Sequence, residues 1–154
     1  MRRCWLILSY YAADDGHLNM ALLRQARQAG CKTALATMSR CYHTQRVLDV
    51  LSLMDAFDFV ATRDDVEHGK PDPEIYHLVA RELDIPSGEC LAIEDSPSGV
   101  KAALAAAMWC IAVTTPFSRQ GIVEMKLLDE RWIVDDPGTL TTVVTQMVEE
   151  RKQD

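Results

Sequence analysis

The chain alternates short runs of β-branched and apolar residues with longer segments in which apolar residues recur at helical spacing. A parallel sheet with helices on both faces produces that alternation, because parallel strands are buried on both sides and need crossover connections. Residues 4–8 (Cys-Trp-Leu-Ile-Leu) predict a first strand. A helix from about Asn19 follows, with Met20, Leu23 and Ala26 on one face and Gly30 as its C-terminal cap. Residues 33–37 predict a second strand, and a helix with Val47, Leu48 and Leu51 inward leads to a third at 57–61. Asp72 and Pro73 open a third helix with Ile75, Leu78, Val79 and Leu83 at helical spacing. Residues 90–93 form the next strand. Ser96 and Pro97 open a fourth helix, whose alanine-rich body leads to a strand at 109–114. A short strand at 132–134 and a helix with Leu140, Val143, Val144, Met147 and Val148 in its core complete the pattern.

With 154 residues, 48% of them hydrophobic, the chain has the material for one domain, expected over residues 1–154, with a substantial core. No repeat, low-complexity linker or domain boundary interrupts it. The net charge of −7 and the lack of a basic stripe argue against nucleic acid as a partner. The longest apolar stretch, 102–113, is too short to span a bilayer, so no membrane partner is expected. Five cysteines, an odd number without C-x-x-C spacing, point to reduced thiols and a cytoplasmic location. The opening residues lack a clean signal-peptide pattern, since Ser9 breaks the apolar run. The four histidines have no zinc-site spacing, and Gly30 and Gly69 belong to no G-x-G-x-x-G.

Parallel sheets place their ligands beyond the C-terminal ends of the strands, and right-handed crossovers bring those ends to one edge. Thr37 ends the second strand, Lys70 follows the third in a Gly-Lys-Pro-Asp-Pro loop, and Glu94 and Asp95 end the fourth. A hydroxyl and an ammonium suit phosphate oxygens, and two adjacent carboxylates suit a hard cation such as Mg²⁺. The helix opening at Ser96 would aim backbone N–H groups at an anion. Singly, each residue has an ordinary reading: a strand threonine, a solvated lysine, a capping Asp95–Ser96 pair.

In order, the pieces resemble a known family. Lys-Thr-Ala-Leu-Ala-Thr-Met-Ser ending at Ser39, Gly-Lys-Pro-Asp-Pro-Glu-Ile-Tyr around Lys70, and Ile-Glu-Asp-Ser-Pro-Ser-Gly-Val at 93–100 look like the second, third and fourth motifs of the haloacid dehalogenase superfamily. The similarity is to the branch of β-phosphoglucomutase and phosphoglycolate phosphatase and runs from about residue 19 to 116. It implies a Rossmannoid three-layer α/β/α sandwich, mainly parallel, with strand order 3-2-1-4-5; relatives insert a cap domain before the first helix, and because residues 12–18 leave little room for one, no cap domain is expected here. It also implies that Thr37 and Lys70 serve catalysis by binding the phosphoryl group, that the Met38 amide and Ser39 lie close to it, and that Glu94 and Asp95 hold Mg²⁺. The expected partner is a small phosphorylated molecule, with a homo-oligomer as a further possibility.

The first motif of that family, D-x-D-G-T at the end of strand one, is where the chain departs. Its first Asp is the nucleophile and its second the general acid/base. Here residues 9–11 read Ser-Tyr-Tyr, and the single D-D-G falls at Asp14, Asp15 and Gly16, just before the first helix. Residues 4–11 are read as a degenerate first strand, in preference to a cap remnant, because losing the middle strand would expose two unpaired edges. Asp14 and Asp15 stand as possible substitute carboxylates. The functional expectation is a phosphatase-type domain of impaired activity, with a non-catalytic ligand or partner binder and a truncated fragment as alternatives.

Overall fold

The computed structural model describes residues 5–8 and 16–153. Six parallel strands, β1 (Trp5–Leu8), β2 (Lys32–Ala36), β3 (Phe59–Ala61), β4 (Leu91–Glu94), β5 (Trp109–Val113) and β6 (Ile133–Val134), form one sheet in the order β3-β2-β1-β4-β5-β6. The expected order holds, with β6 added at the edge. Leu8 pairs with Leu35 on one side and Ile93 on the other, so residues 5–8 are the central strand rather than a cap remnant. Residues 9–15 alone separate β1 from α1 (Gly16–Gln28), too short a stretch for an inserted cap domain.

Side chains alternate across the sheet with period two. One face carries Ile7, Ala34, Ala36, Ala92, Cys110 and Ala112 and packs under α3 (Glu74–Leu83), α4 (Pro97–Ala105) and α5 (Arg119–Glu124). The other carries Leu8, Leu35, Leu91, Ile93, Ile111 and Val113 under α1, α2 (Cys41–Val50) and α6 (Leu140–Gln153). The alanine-rich face lets α3 and α4 approach closely, and Glu94, two residues beyond Ala92, points to that same side.

Local signals account for several helix ends. Gly30 adopts φ +78 and its N–H returns to Arg27 O, ending α1 as expected. The Ser96 hydroxyl accepts the Gly99 N–H, and Pro97 occupies the first turn of α4. The third helix begins one residue later than expected, yet Asp72 still accepts the Glu74 N–H through its carboxylate. α1 starts at Gly16, ahead of Asn19.

One core assignment needs correction. Val47 and Leu51 are 38% and 52% exposed, and α2 buries only Thr44 and Leu48. The helix ends at Val50, Ser52 turns the chain through φ 55, and Leu53 enters the core where Leu51 was expected. α5 was not anticipated. It is six residues long, buries Ile122, and brings Gly121 against Pro97 at the start of α4. No helix among the described residues is long and apolar enough to cross a membrane.

Candidate functional site

β2 and β4 are not neighbours: each flanks β1, and the strand order reverses between β1 and β4. Such a switch point leaves a crevice beyond the strand ends, where ligands of open α/β sheets bind. The polar residues singled out from the sequence gather there.

Thr37 follows directly on β2. It is buried, its N–H donates to Ala61 O, and its hydroxyl accepts the Ser39 N–H at 3.1 Å. That bond folds residues 37–39 into a tight turn. Ser39 O accepts from Arg63 N–H, and the Cys41 N–H at the start of α2 donates to the Asp64 carboxylate at 2.8 Å. The turn is therefore tied on both sides to the segment following β3. Met38 is half-buried, and its sulfur accepts the Lys70 N–H at 3.4 Å. Gly69 lies against the same sulfur, where an added Cβ would stand 3.3 Å away. The Lys70–Pro71 peptide is cis.

The Lys70 side chain runs inward from this loop. Its Nζ donates to Ala36 O at 3.1 Å and to Glu94 Oε1 at 2.6 Å, and so lies above the end of β1, between β2 and β4. Only 4% of the lysine side chain and 1% of the glutamate side chain are exposed. Taking both charges out of water costs several kcal/mol per ion, roughly, unless geometry and further hydrogen bonds offset it. Here the further bonds are present. Tyr76 OH also donates to Glu94 Oε1, and Asp95 N–H lies 3.3 Å from Oε2. Gly99 closes the back of the carboxylate, since a Cβ there would stand 1.9 Å from Oε2.

Asp95 is half-buried beside this pair. Burial pushes its carboxyl above the ordinary range and Glu94 pushes it further, against the opposing pull of Lys70 and of its own backbone N–H. Among the described residues no side chain forms a hydrogen bond or ion pair with it. Burial raises the Cys110 thiol well above its ordinary range, with Glu94 adding to the shift, and burial raises Cys90, which lies at the opposite end of β4, to about 11.

Thr37, Met38, Lys70, Glu94 and Asp95 are thus brought together, and Ser39 joins them through the Thr37 hydroxyl. Asp14 and Asp15 lie outside the described residues. Sequence reasoning missed Tyr76 and Gly99. Tyr76 shares helical spacing with Ala80 and Leu83 on the buried face of α3, and Gly99 falls within the fourth motif.

The donor set fits Mg²⁺. Asp95, destabilised as an anion and lacking a side-chain partner among the described residues, supplies hard oxygen ligands beside Glu94, whose oxygens already accept from Lys70, Tyr76 and the Asp95 N–H, and Mg²⁺ is commonly held by one or two carboxylates plus phosphate oxygens and water. No group of three His, Cys, Asp or Glu gathers among the described residues.

Fold and site define a doubly wound α/β domain whose polar centre occupies the topological switch point. The chain belongs to the haloacid dehalogenase-like hydrolases, whose family model matches residues 11–107. It is 30% identical over 109 residues to validoxylamine A 7'-phosphate phosphatase of Streptomyces hygroscopicus subsp. limoneus, covering 71% of this chain and 51% of that protein. It is 34% identical over 92 residues to beta-phosphoglucomutase of Bacillus subtilis (strain 168), covering 60% and 40%. Among solved structures, CbbY from Rhodobacter sphaeroides in complex with phosphate superposes with a TM-score of 0.62 at 33% identity, covering 65% of this chain and 46% of that one. The chain spans about half or less of the length of these relatives.

Proposed function

We propose that this chain is a phosphohydrolase-type domain that binds a small phosphorylated metabolite together with Mg²⁺. The observation that carries the reading is the Lys70 ammonium held by Ala36 O and Glu94 above the end of the central strand. Thr37, the Met38 amide and Ser39 lie on one side of it and Asp95 on the other, so an anion entering the crevice meets a hydroxyl, backbone N–H groups and an ammonium. Glu94 and Asp95 hold the metal, which when bound supplies positive charge to the phosphoryl oxygens. The phosphate bound to a relative supports this assignment by likeness.

One observation favours binding over turnover. A covalent route needs a carboxylate where β1 ends, and the sequence there reads Ser9-Tyr10-Tyr11. Loss of a covalent nucleophile typically costs roughly 10⁴-fold or more in rate while leaving ligand binding in place. The reading is therefore a phosphate-ligand site of impaired activity.

The test uses the full chain with inorganic phosphate followed by calorimetry, with and without Mg²⁺, beside a panel of phosphate esters assayed for phosphate release. Mg²⁺-dependent phosphate binding with hydrolysis slow or absent is expected. No phosphate binding in Mg²⁺ overturns the reading, and rapid hydrolysis overturns its second half. Replacing both Asp14 and Asp15 by Asn shows whether any residual turnover depends on them.

A further inference from the structure

Tyr76 is fully buried on α3 among apolar neighbours, where phenylalanine would fill nearly the same space. A buried phenol must still find an acceptor for its O–H. The acceptor here is Glu94 Oε1, the same oxygen that receives the Lys70 ammonium, and that ammonium also stands 5.0 Å from the centre of the Tyr76 ring. One side chain thus touches both members of the buried pair, by hydroxyl on the acid and by ring face on the base.

We propose that Tyr76 is a positioning residue, whose hydroxyl fixes the Glu94 carboxylate so that Lys70 is held above the end of the central strand. The carboxylate is confined by Tyr76 and Lys70 at Oε1, by the Asp95 N–H at Oε2 and by Gly99 behind. Without the phenol donor, Oε1 keeps the lysine alone and the acid can turn about its last bond. The lysine stem has several rotatable bonds, and its head group is then less well placed for an anion. Donors held in position before the ligand arrives bind developing or fixed negative charge without a reorganisation cost. The consequence for phosphate rests on the proposed function above, whereas the effect on the Lys70–Glu94 pair does not.

Two readouts separate them. Inorganic phosphate affinity in Mg²⁺ is measured by calorimetry for the full chain and for Tyr76→Phe. Tyr76→Phe is expected to weaken phosphate about tenfold, the scale of one charge-assisted hydrogen bond. Unchanged affinity in Tyr76→Phe overturns the proposal. The second readout needs no ligand: the ¹⁵N–¹H signal of the Lys70 ammonium, slowed in exchange by burial, is expected to broaden in Tyr76→Phe, and an unchanged signal overturns the proposal. If the wild type binds no phosphate, the proposed function fails and this signal alone decides the role of Tyr76. Should Tyr76→Phe not fold, 3-fluorotyrosine at position 76 keeps the ring's shape and makes its O–H a stronger donor. A shift of the Lys70 signal is then expected, and no shift overturns the proposal.

Discussion

Lys70 Nζ and Glu94 Oε1 stand 2.6 Å apart although 24 residues separate them in the chain, and neither side chain is more than 4% exposed. The lysine arrives from the loop that precedes α3 and the glutamate from the end of β4, so their meeting ties two crossover units together. With Ala36 O as a third partner, the contact bridges the ends of β2 and β4, the two strands that flank β1. A charge pair buried in this way is a costly feature to build into a small domain, and its place beyond the strand ends is where functional groups collect in such sheets.

Removing one member leaves the other charged and buried. Lys70→Met and Glu94→Gln are each expected to lower unfolding stability, Lys70→Met by about 3–5 kcal/mol and Glu94→Gln by less, because its amide oxygen still accepts from Lys70 and Tyr76. The combined variant Lys70→Met/Glu94→Gln is expected to lose clearly less than the sum, because neither charge remains. Urea unfolding of the four proteins measures the coupling. Strict additivity would show that the two groups do not interact.

Gly99→Ala tests how tightly the acid is enclosed. In a helix interior alanine is favoured over glycine by roughly 0.5–1 kcal/mol. At position 99, however, the new Cβ would lie 1.9 Å from Glu94 Oε2 and 2.1 Å from its Cδ, and the carboxylate is held in place by Lys70 and Tyr76. Gly99→Ala is therefore expected to destabilise by about 1–3 kcal/mol, as overpacking does, and to weaken phosphate binding. Gly88→Ala is the control: nothing lies within 4 Å of its Cβ position, and its effect is expected to stay within about 0.5 kcal/mol. Equal effects at the two glycines would contradict the enclosure.

Thr37, Lys70, Glu94 and Asp95 were legible because each ends a strand or sits in a proline-rich loop, and strand ends of a parallel sheet share one edge. The order of the strands came from the family resemblance, since periodicity does not say which strands are neighbours. The contact between Lys70 and Glu94 was not legible, because both had been assigned ligands and nothing local shows two side chains turning toward each other. Tyr76 was hidden for a different reason: its ring satisfies the apolar pattern of α3, and the pattern is silent about the hydroxyl. Val47 and Leu51 misled because apolar letters at helical spacing do not reveal that Ser52 reverses the chain before Leu53. α5, at six residues, is shorter than two helical turns and leaves almost no periodic trace.

Asp95→Asn separates function from stability. The carboxyl is held above its ordinary value of 3.8 by burial first and by Glu94 second. For an acid raised in the folded state, the folded chain is favoured below the unfolded value, and that advantage is lost as pH rises through the folded one. At pH 7 without metal the ionised Asp95 therefore costs stability. Asp95→Asn is expected to raise the thermal midpoint at pH 7, to leave it nearly unchanged at pH 3, and to abolish any gain on adding Mg²⁺. Thermal melts at the two pH values, with and without Mg²⁺, check all three outcomes. A midpoint that falls at pH 7 would mean that Asp95 is stabilising in the folded chain.

Asp135 carries the opposite sign. Its carboxyl is pulled below the ordinary 3.8, first by the Thr114 hydroxyl and then by Arg119. The distances are 2.6 Å from Thr114 Oγ1, 3.0 Å from Arg119 Nε and 3.2 Å from Arg119 Nη2. An acid depressed in the folded state contributes stability above its unfolded value and loses it as pH falls through the folded one. These contacts join the end of β5 and the start of α5 to the segment just after β6, so they help to hold the edge strand in place. Both side chains are more than half exposed, which limits the contribution to at most about 1 kcal/mol. Asp135→Asn is expected to lower stability at pH 7, with the difference from wild type shrinking as pH falls below 3.8 and in high salt. Urea unfolding across pH 2–7 at low and high salt measures this, and a deficit independent of both would assign the effect to packing rather than charge.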